Sequence, residues 1–297
     1  MRQITKILAM AFMTLLLAGS AWAASISTWD LTKLGTGYKY NDAGTLYDSV
    51  NFDYQIISND VETDNPDGYW NPTVIEQQIN NLGQVFDGAT FVEKGILGVA
   101  SFGAQSGSVV NSDGNKVYFY YDFINFTGYV DQVTTNPDGS QEYFINFSNL
   151  ADSSVSLRYT TDQNLLDPTQ ILGTIADYNL IAADATGFEV TSGFATGGGA
   201  GIFGFTLQMA ELFDTDFWSI NNSLLTEYDT IIAKSSVTSN LMQAGEVVPN
   251  ENGDGATAIL SVKNTGDITH VVPEPNTLLL LGAGLLGLGA VARRRKN

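Results

Sequence analysis

Apolar and polar residues alternate in short stretches along the middle of the chain. Residues 143–147 read Tyr-Phe-Ile-Asn-Phe, and residues 155–159 read Val-Ser-Leu-Arg-Tyr. This two-residue period is typical of a β-strand that has one face on a core and the other in water. Aromatic and β-branched content predicts further strands at residues 51–57, 91–102, 117–122, 123–130, 188–192, 202–209, 228–234 and 256–263.

The breaks between these stretches carry turn residues. Aspartate–glycine pairs occur at Asp67-Gly68, Asp87-Gly88, Asp113-Gly114 and Asp138-Gly139. Glycine supplies the positive φ that tight hairpin turns need. Short strands at this spacing are characteristic of antiparallel all-β architectures. The sequence therefore predicts a mainly β fold with an antiparallel β-sandwich-like body.

One or two short helices are expected to accompany the strands. Asn71 can cap a helix, Pro72 suits its first turn, and Gly83 can end it. The apolar side chains between these residues fall on one face at helical spacing, at Val74, Ile75, Ile79 and Leu82. A second short helix is predicted over residues 209–217.

Two polar or glycine-rich stretches interrupt the predicted strands. Residues 192–204 are interpreted as a flexible loop or a twisted strand entry, and residues 244–255 as a loop. Within the first stretch, Gly199, Gly201 and Gly204 match a dinucleotide-binding spacing, which requires a helix to follow. Strand-like alternation follows instead, so no cofactor is expected.

The N-terminal residues have the three parts of a secretory signal peptide. A positively charged start precedes an apolar run at residues 7–17, and Ala21 and Ala23 place small side chains where signal peptidase reads them. Cleavage by signal peptidase is predicted after Ala23, so that residues 1–23 form a signal helix. A buried helix or an uncleaved anchor is the alternative, although a bilayer span needs about 20 apolar residues.

The C-terminal residues also fall into three parts. The tail opens on Val272, Pro273, Glu274 and Pro275. Its two prolines keep this part of the chain out of a helix. Residues 277–292 are uncharged and predict a transmembrane helix of roughly 24 Å, at about 1.5 Å per residue. A basic cluster, expected to stay cytoplasmic, closes the chain at Arg293, Arg294, Arg295 and Lys296.

This arrangement resembles the PEP-CTERM sorting signal. The matching parts are the Pro273-Glu274-Pro275 motif, the apolar span 277–292 and the arginines 293–295. The resemblance implies that an exosortase-type membrane protease recognises the tail, after transient anchoring in the inner membrane, and cuts near the motif. It also implies export to the cell surface or extracellular matrix of a Gram-negative bacterium. A permanent C-terminal membrane anchor is the alternative.

Four segments follow from these assignments. They are a signal peptide at 1–23, an exported β-rich domain at 24–263, a linker at 264–271 and the sorting signal at 272–296. Six of the 13 basic residues and one of the 32 acidic residues lie outside residues 24–271, which leaves 7 against 31 and a net charge of −24. This charge excludes nucleic acid as an electrostatic partner.

The body offers few candidate catalytic or metal-binding residues. The chain has no cysteine, and its single histidine, His270, stands in the predicted linker, where a catalytic triad is not expected. Two stretches could hold calcium loosely through oxygen ligands, with a solvated acidic loop and a polar turn as the competing interpretations. Their residues are Asp60, Glu62, Asp64 and Asp67 in the first, and Asn250, Asn252 and Asp254 in the second. No residue is assigned as a metal ligand.

The body also resembles flocculation-associated PEP-CTERM proteins over short stretches. These are residues 91–95, 101–102, 118–128, 157–162 and 203–207. The resemblance implies a non-enzymatic surface or matrix protein with a structural or adhesive role in exopolysaccharide-associated biofilm or floc formation.

Two other functions are carried as alternatives. The first is a carbohydrate-binding module, with or without calcium. Its candidate sugar-stacking side chains are Trp70, Tyr118, Tyr120 and Trp218. The second is a secreted hydrolase, for which paired carboxylates would be required, and the many acidic residues do not single out a pair.

Overall fold

The protein folds into antiparallel sheets. The computed structural model describes residues 26–58, 73–105, 107–148, 152–161, 171–190, 199–214, 216–225, 232–251, 253 and 255–271. Strands make up most of these residues, and their one helical element is a 3₁₀ turn at Leu31–Lys33. The predicted mainly β, antiparallel fold is confirmed, because all strand pairings among the described residues are antiparallel.

The strands are numbered in chain order. The first nine are β1 (Ser27–Asp30), β2 (Lys39–Asp42), β3 (Thr45–Tyr47), β4 (Ser49–Phe52), β5 (Gln55–Ser58), β6 (Thr73–Ile79), β7 (Thr90–Phe102), β8 (Ser108–Val110) and β9 (Lys116–Thr135). The others are β10 (Gln141–Ser148), β11 (Ser154–Thr160), β12 (Ile171–Val190), β13 (Gly199–Leu212), β14 (Trp218–Ile220), β15 (Ser223–Leu224), β16 (Ile232–Pro249) and β17 (Ala256–Val271).

The larger of the two sheets closes on itself. From β9 the pairings run through β10, β12, β13, β16, β17, β5 and β7, and β7 pairs again with β9. Strands β11 and β10 lie end to end between β9 and β12, as β5 and β6 do between β17 and β7. The closure differs from the two stacked open sheets of the predicted sandwich, and it removes unpaired edges that an open sheet presents.

The smaller sheet, in the order β15-β14-β1-β4, shares a core with the larger one. Trp29 of β1 is fully buried at the centre of this core. Its ring lies 5.1–5.5 Å, between centroids, from the rings of Phe52, Phe102, Phe119, Phe217 and Trp218. Aromatic pairs of this geometry stabilise beyond the area that they bury. The rings belong to both sheets and therefore hold the sheets together.

A second apolar cluster fills another part of the interior. Its buried members are Ile79, Val85, Ala89, Val130, Tyr143, Ala258, Leu260 and Val262. The long strands β9 and β17 contribute to both clusters, since Phe119 and Ile268 belong to the first. The two clusters are therefore linked through continuous strands.

The aspartate–glycine turns within the described residues are confirmed. Gly114 has φ +79° and Gly139 has φ +88°, a conformation in which a Cβ atom is strained. Backbone hydrogen bonds from Asn111 to Asn115 (2.9 Å) and from Asn136 to Ser140 (2.8 Å) close the two hairpins. These turns connect β8 to β9 and β9 to β10.

Both predicted helices are wrong. Residues 73–79 form β6, which pairs with β17 on one side and β7 on the other. Residues 209–212 continue β13. Neither segment forms a helix, because its backbone N–H and C=O groups are hydrogen-bonded to neighbouring strands. Asn71 and Pro72, the predicted start of the first helix, lie outside the described residues.

Several predicted boundaries also change. The predicted strand at 51–57 is two strands, β4 and β5, in different sheets. The two strands predicted over 117–130 are one, β9, which continues through Asn125 at φ +58°. The predicted loop over 244–255 is strand as far as Pro249. Gly199 to Gly204 form the start of β13, which agrees with the interpretation of this stretch as a strand entry.

The signal helix at 1–23 and the transmembrane helix at 277–292 lie outside the described residues. Within the part of the chain that is described, no helix has the length and apolar character to cross a membrane.

Candidate functional site

The last strand of the sheet leads directly to the sorting tail. The predicted linker at 264–271 is wrong, because β17 continues to Val271. Its final residues pair with β16, His270 opposite Ala233 and Val271 opposite Ile232. Side chains at alternate positions point into the core, so that Ile268 is fully buried and His270 exposes 1% of its surface. In the sequence, the sorting tail therefore directly follows the last residue of this buried strand.

His270 lies among aromatic rings in the core. Its ring meets that of Trp218 edge to face, at 4.6 Å between centroids. Its Nε2 atom is 3.4 Å from the hydroxyl oxygens of both Tyr121 and Tyr178. The Tyr121 hydroxyl donates to Gln55 Oε1 at 2.5 Å. The histidine assigned to the predicted linker thus belongs to a buried polar cluster, defined here as His270, Tyr121, Tyr178 and Gln55.

Burial sets the protonation of this cluster. It lowers the pKa of His270 to about 3, so the imidazole is neutral at neutral pH. Burial also raises the pKa values of the Tyr121 and Tyr178 hydroxyls well above their ordinary value, and each is protonated. A triad histidine needs a nucleophile and an orienting carboxylate. The contacts of His270 are instead hydroxyls and rings, an arrangement suited to holding β17 in the core.

Some polar atoms at this place have no protein partner. In the described part of the chain, His270 Nδ1, Gln55 Nε2 and Trp218 Nε1 are buried without a hydrogen bond, as is Trp29 Nε1. Such groups cost free energy when they stay unsatisfied. The end of β17 is therefore held by packing more than by side-chain hydrogen bonding.

A second buried ionisable group lies on β7. Glu93 exposes 3% of its surface, and its Oε1 atom accepts a hydrogen bond of 3.5 Å from Asn264 Nδ2 on β17. Burial raises the pKa of Glu93 to about 7, and the Asn264 hydrogen bond lowers it by a smaller amount. The sequence reasoning missed this residue. Its position could have revealed it. Glu93 lies two residues after Phe91 on the same strand, so both side chains point to the same, inward face.

Of the four aromatic residues predicted to stack on sugars, two lie in the core of the described chain. Trp218 and Tyr120 are buried, and the Lys116 ammonium lies 5.2 Å from the ring centroid of the partly buried Tyr118. Trp70 lies outside the described residues. The exposed aromatic side chains on the sheet include Tyr129 of β9 and Phe144 of β10, which expose 41% and 51% of their surface.

The candidate calcium loop at 250–255 is a hairpin turn. The backbone N–H of Asn250 donates to the Gly255 carbonyl at 2.9 Å, and that of Gly253 to the Asn250 carbonyl at 3.0 Å. This turn joins β16 to β17. Across the described ranges, no three His, Asp or Glu side chains come together as a metal-binding group. Asn252, Asp254 and the acidic stretch 60–67 lie outside those ranges.

The predicted processing residues also lie outside the described residues. They are Ala21, Ala23, Val272, Pro273, Glu274, Pro275, Arg293, Arg294 and Arg295. Their placement in the chain is informative nonetheless, because Val272 directly follows the buried end of β17.

The described body is acidic and antiparallel β, and Pro273, Glu274 and Pro275 follow its last strand closely in the sequence. The family model for the PEP-CTERM protein-sorting motif matches residues 271–296. The chain therefore carries a PEP-CTERM sorting signal at residues 271–296. The motif implies processing by an exosortase membrane protease and localisation to the cell surface or extracellular space of a Gram-negative bacterium. Comparison of the chain with curated proteins finds no match, and neither does comparison with solved structures.

Proposed function

We propose that this protein is a non-enzymatic structural or adhesive component of an exopolysaccharide-associated biofilm or floc. The observation that carries the proposal is the sorting motif at 271–296, which implies export to the cell surface or extracellular space. The body has the properties that this place requires. It has no cysteine, so its stability outside the cell depends on the core and the closed sheet.

The stretches that resemble flocculation-associated PEP-CTERM proteins fall mainly on strands of the larger sheet. Residues 91–95 on β7 and 118–128 on β9 lie on paired strands, and residues 203–207 lie on β13. Many of their side chains are core residues, among them Phe91, Phe123 and Leu207. The resemblance therefore supports a shared scaffold, and the matrix role is inferred from the scaffold together with the sorting tail.

Deleting the gene is expected to weaken cell aggregation, because a displayed adhesive component is lost. Complementation with the full chain should restore aggregation, measured as the settled fraction of the culture. The matched control replaces Pro273, Glu274 and Pro275 with alanine, which leaves the described body intact and removes the motif. That variant should be made in equal amount without restoring aggregation. Unchanged settling after deletion would contradict the proposed role.

A specific observation favours carbohydrate contact as a second function. Tyr129 lies opposite Asn146 across the β9–β10 pair, and Phe144 lies opposite Gln132. The two aromatic side chains are both exposed and lie two residues apart in the register of β10, across a β-bulge between Phe144 and Ile145. Exposed amides beside exposed rings can bind the hydroxyls and the apolar face of a sugar. The surrounding negative charge favours a neutral glycan over an anionic one.

The double substitution of Tyr129 and Phe144 by alanine is expected to weaken binding to a neutral hexose polysaccharide at least about tenfold, since each ring contributes on the order of 1 kcal/mol. Affinity electrophoresis with and without EDTA measures the loss and tests for calcium. Tyr47→Ala removes an equally exposed aromatic on β3 and should leave mobility unchanged. Equal retardation of the double variant and the control by the polysaccharide would contradict the proposal of a carbohydrate-binding function.

A further inference from the structure

Four buried polar atoms without a protein partner lie in one part of the core. Within the described residues, Trp29 Nε1, Gln55 Nε2, Trp218 Nε1 and His270 Nδ1 are buried and make no hydrogen bond to the chain. The four side chains expose at most 1% of their surface. Folded proteins leave few buried polar groups unpaired, and ordered water commonly binds those that the chain does not satisfy. The grouping of four such atoms therefore indicates a ligand.

The four side chains are contiguous and lie where the two sheets meet. The Trp218 ring is 5.5 Å from the Trp29 ring and 4.6 Å from the His270 ring, between centroids. The Tyr121 hydroxyl connects the other pair, since it donates to Gln55 Oε1 at 2.5 Å and lies 3.4 Å from His270 Nε2. The two tryptophans belong to β1 and β14 of the smaller sheet, whereas Gln55 and His270 belong to β5 and β17 of the larger one. A ligand at this place contacts both sheets.

All four unpartnered atoms are hydrogen-bond donors. An indole Nε1 carries one proton and a glutamine Nε2 carries two, and neither atom accepts. For His270 the neighbouring hydroxyls decide the position of the proton. The Tyr121 proton goes to Gln55 Oε1, and the Tyr178 hydroxyl, 3.4 Å from His270 Nε2, has that nitrogen as its acceptor among the described residues. Since Nε2 accepts, the single proton of the neutral imidazole lies on Nδ1.

The ligand that these donors require is small, neutral and able to accept hydrogen bonds. An anion would meet donors that are themselves neutral, inside a body of net charge −24. Burying an unpaired charge costs far more free energy than burying a neutral polar group, and the negative body repels anions. Water satisfies the requirement, because its oxygen accepts two hydrogen bonds and buried waters typically make about three bonds to otherwise unsatisfied groups.

We propose that the boundary between the two sheets is a binding site for internal water, to which Gln55 Nε2, His270 Nδ1 and the two indole Nε1 atoms donate. The donors belong to β1, β5, β14 and β17, so the bound water connects the smaller sheet to the larger one. Water is then a structural component of this contact, and it fixes the proton of His270 on Nδ1. The end of β17 is held by these hydrogen bonds in addition to its packing.

The position of the His270 proton tests the proposal without any substitution. The chain has a single histidine, so the ¹⁵N NMR signals of protein labelled at histidine belong to this ring alone. At neutral pH, Nδ1 is expected to be protonated and Nε2 unprotonated. A proton on Nε2 would overturn the proposal, because Nδ1 would then be an acceptor and the four atoms would not form a set of donors.

A count of internal waters tests whether the site is occupied. Relaxation dispersion of ¹⁷O measures the number of long-lived waters in each protein molecule. An apolar variant replaces the whole buried polar cluster with side chains of similar size, which leaves no tyrosine hydroxyl to recruit water in place of the lost donors. It is expected to lose at least one long-lived water relative to the wild type. Its substitutions are Gln55→Leu, Tyr121→Phe, Tyr178→Phe and His270→Phe.

The matched control is Gln77→Leu. This glutamine is also buried, but its Nε2 atom donates to the carbonyls of Gln78 and Thr90, at 3.1 and 3.2 Å, so its removal should leave the water count unchanged. Equal counts for the wild type and the apolar variant would overturn the proposal. Circular dichroism confirms that each variant is folded.

A crystal structure of the wild type decides the question if the apolar variant does not fold. Density for water at about 2.7–3.2 Å from His270 Nδ1 and from Gln55 Nε2 is the expected result. Apolar atoms packed directly against both nitrogens would overturn the proposal. An anomalous bromide signal at the same position, after soaking in bromide, would identify an anion and overturn the assignment of a neutral ligand.

Discussion

Replacing Glu93 with glutamine is expected to stabilise the folded protein by about 3 kcal/mol at pH 8 and to leave its stability near pH 4 almost unchanged. The carboxyl group is buried on β7, and burial raises its pKa from 4.5 to about 7. At pH 8 the native state therefore holds a buried charge whose main partner is the Asn264 amide at 3.5 Å. Glutamine keeps the shape and the accepting oxygen and carries no charge.

The sign of this effect follows from the protons bound in each state. Because the native pKa of Glu93 lies above the unfolded value, its contribution is complete below pH 4.5 and is lost as the pH rises through about 7. Urea unfolding of the wild type and Glu93→Gln between pH 4.5 and pH 8 measures the difference. Glu76→Gln is the control, since Glu76 forms an exposed ion pair with Lys94, and its effect should stay below about 1 kcal/mol. Parallel profiles for wild type and Glu93→Gln would contradict the prediction.

The helix predicted over 71–83 shows where local pattern misleads. Val74, Ile75 and Ile79 have helical spacing, yet in β6 the residues that turn inward are Ile75, Gln77 and Ile79. A buried glutamine in the middle of the strand hides the two-residue period. Pairing with β17 and β7 then decides the conformation, as tertiary context commonly does for strands.

The same difficulty explains the error at the end of the domain. Residues 264–271 look polar because Asn264 and His270 occupy inward positions, as Glu93 does on β7. Sequence alone cannot separate a polar side chain that is satisfied or tolerated in a core from one that lies in water. The closed sheet was unpredictable for a related reason, because the pairing of β7 with β9 depends on contacts between strands and not on either strand's pattern.

The sorting tail, by contrast, could be identified from the sequence alone. Its recognition depends on the linear order of the Pro273-Glu274-Pro275 motif, an apolar span and a basic cluster, and the family match at 271–296 agrees with that order. The predicted turns were right for a similar reason. The positive φ at Gly114 and Gly139 is a local requirement that the glycine itself reveals.

Acidification is expected to reduce the free energy of unfolding by about 4 kcal/mol through His270 as the pH falls from 6.5 to 3. Burial lowers the native pKa of this histidine from 6.5 to about 3, because the ring is enclosed by Trp218, Tyr121 and Tyr178 and meets no carboxylate in the described part of the chain. Its contribution is therefore complete above pH 6.5 and is lost towards pH 3. In this pH range the unfolded chain binds a proton on His270, whereas the native state does not.

Glu93 and His270 act in opposite directions between pH 4.5 and 6.5, where the native state holds a proton on Glu93 and none on His270, and the unfolded state holds the reverse. Their contributions to the pH slope cancel in the wild type. Against the wild-type profile, Glu93→Gln should lose stability as the pH falls through this window, His270→Gln should gain it, and the double variant should run parallel to the wild type. Urea unfolding at close pH intervals gives the four profiles. The change in unfolding free energy of His270→Gln at pH 8 measures the packing lost with the ring. The change in its pH dependence measures the loss of the titrating imidazole. A His270→Gln slope equal to that of the wild type would show that the imidazole titrates as it does in water, and that the end of β17 is open.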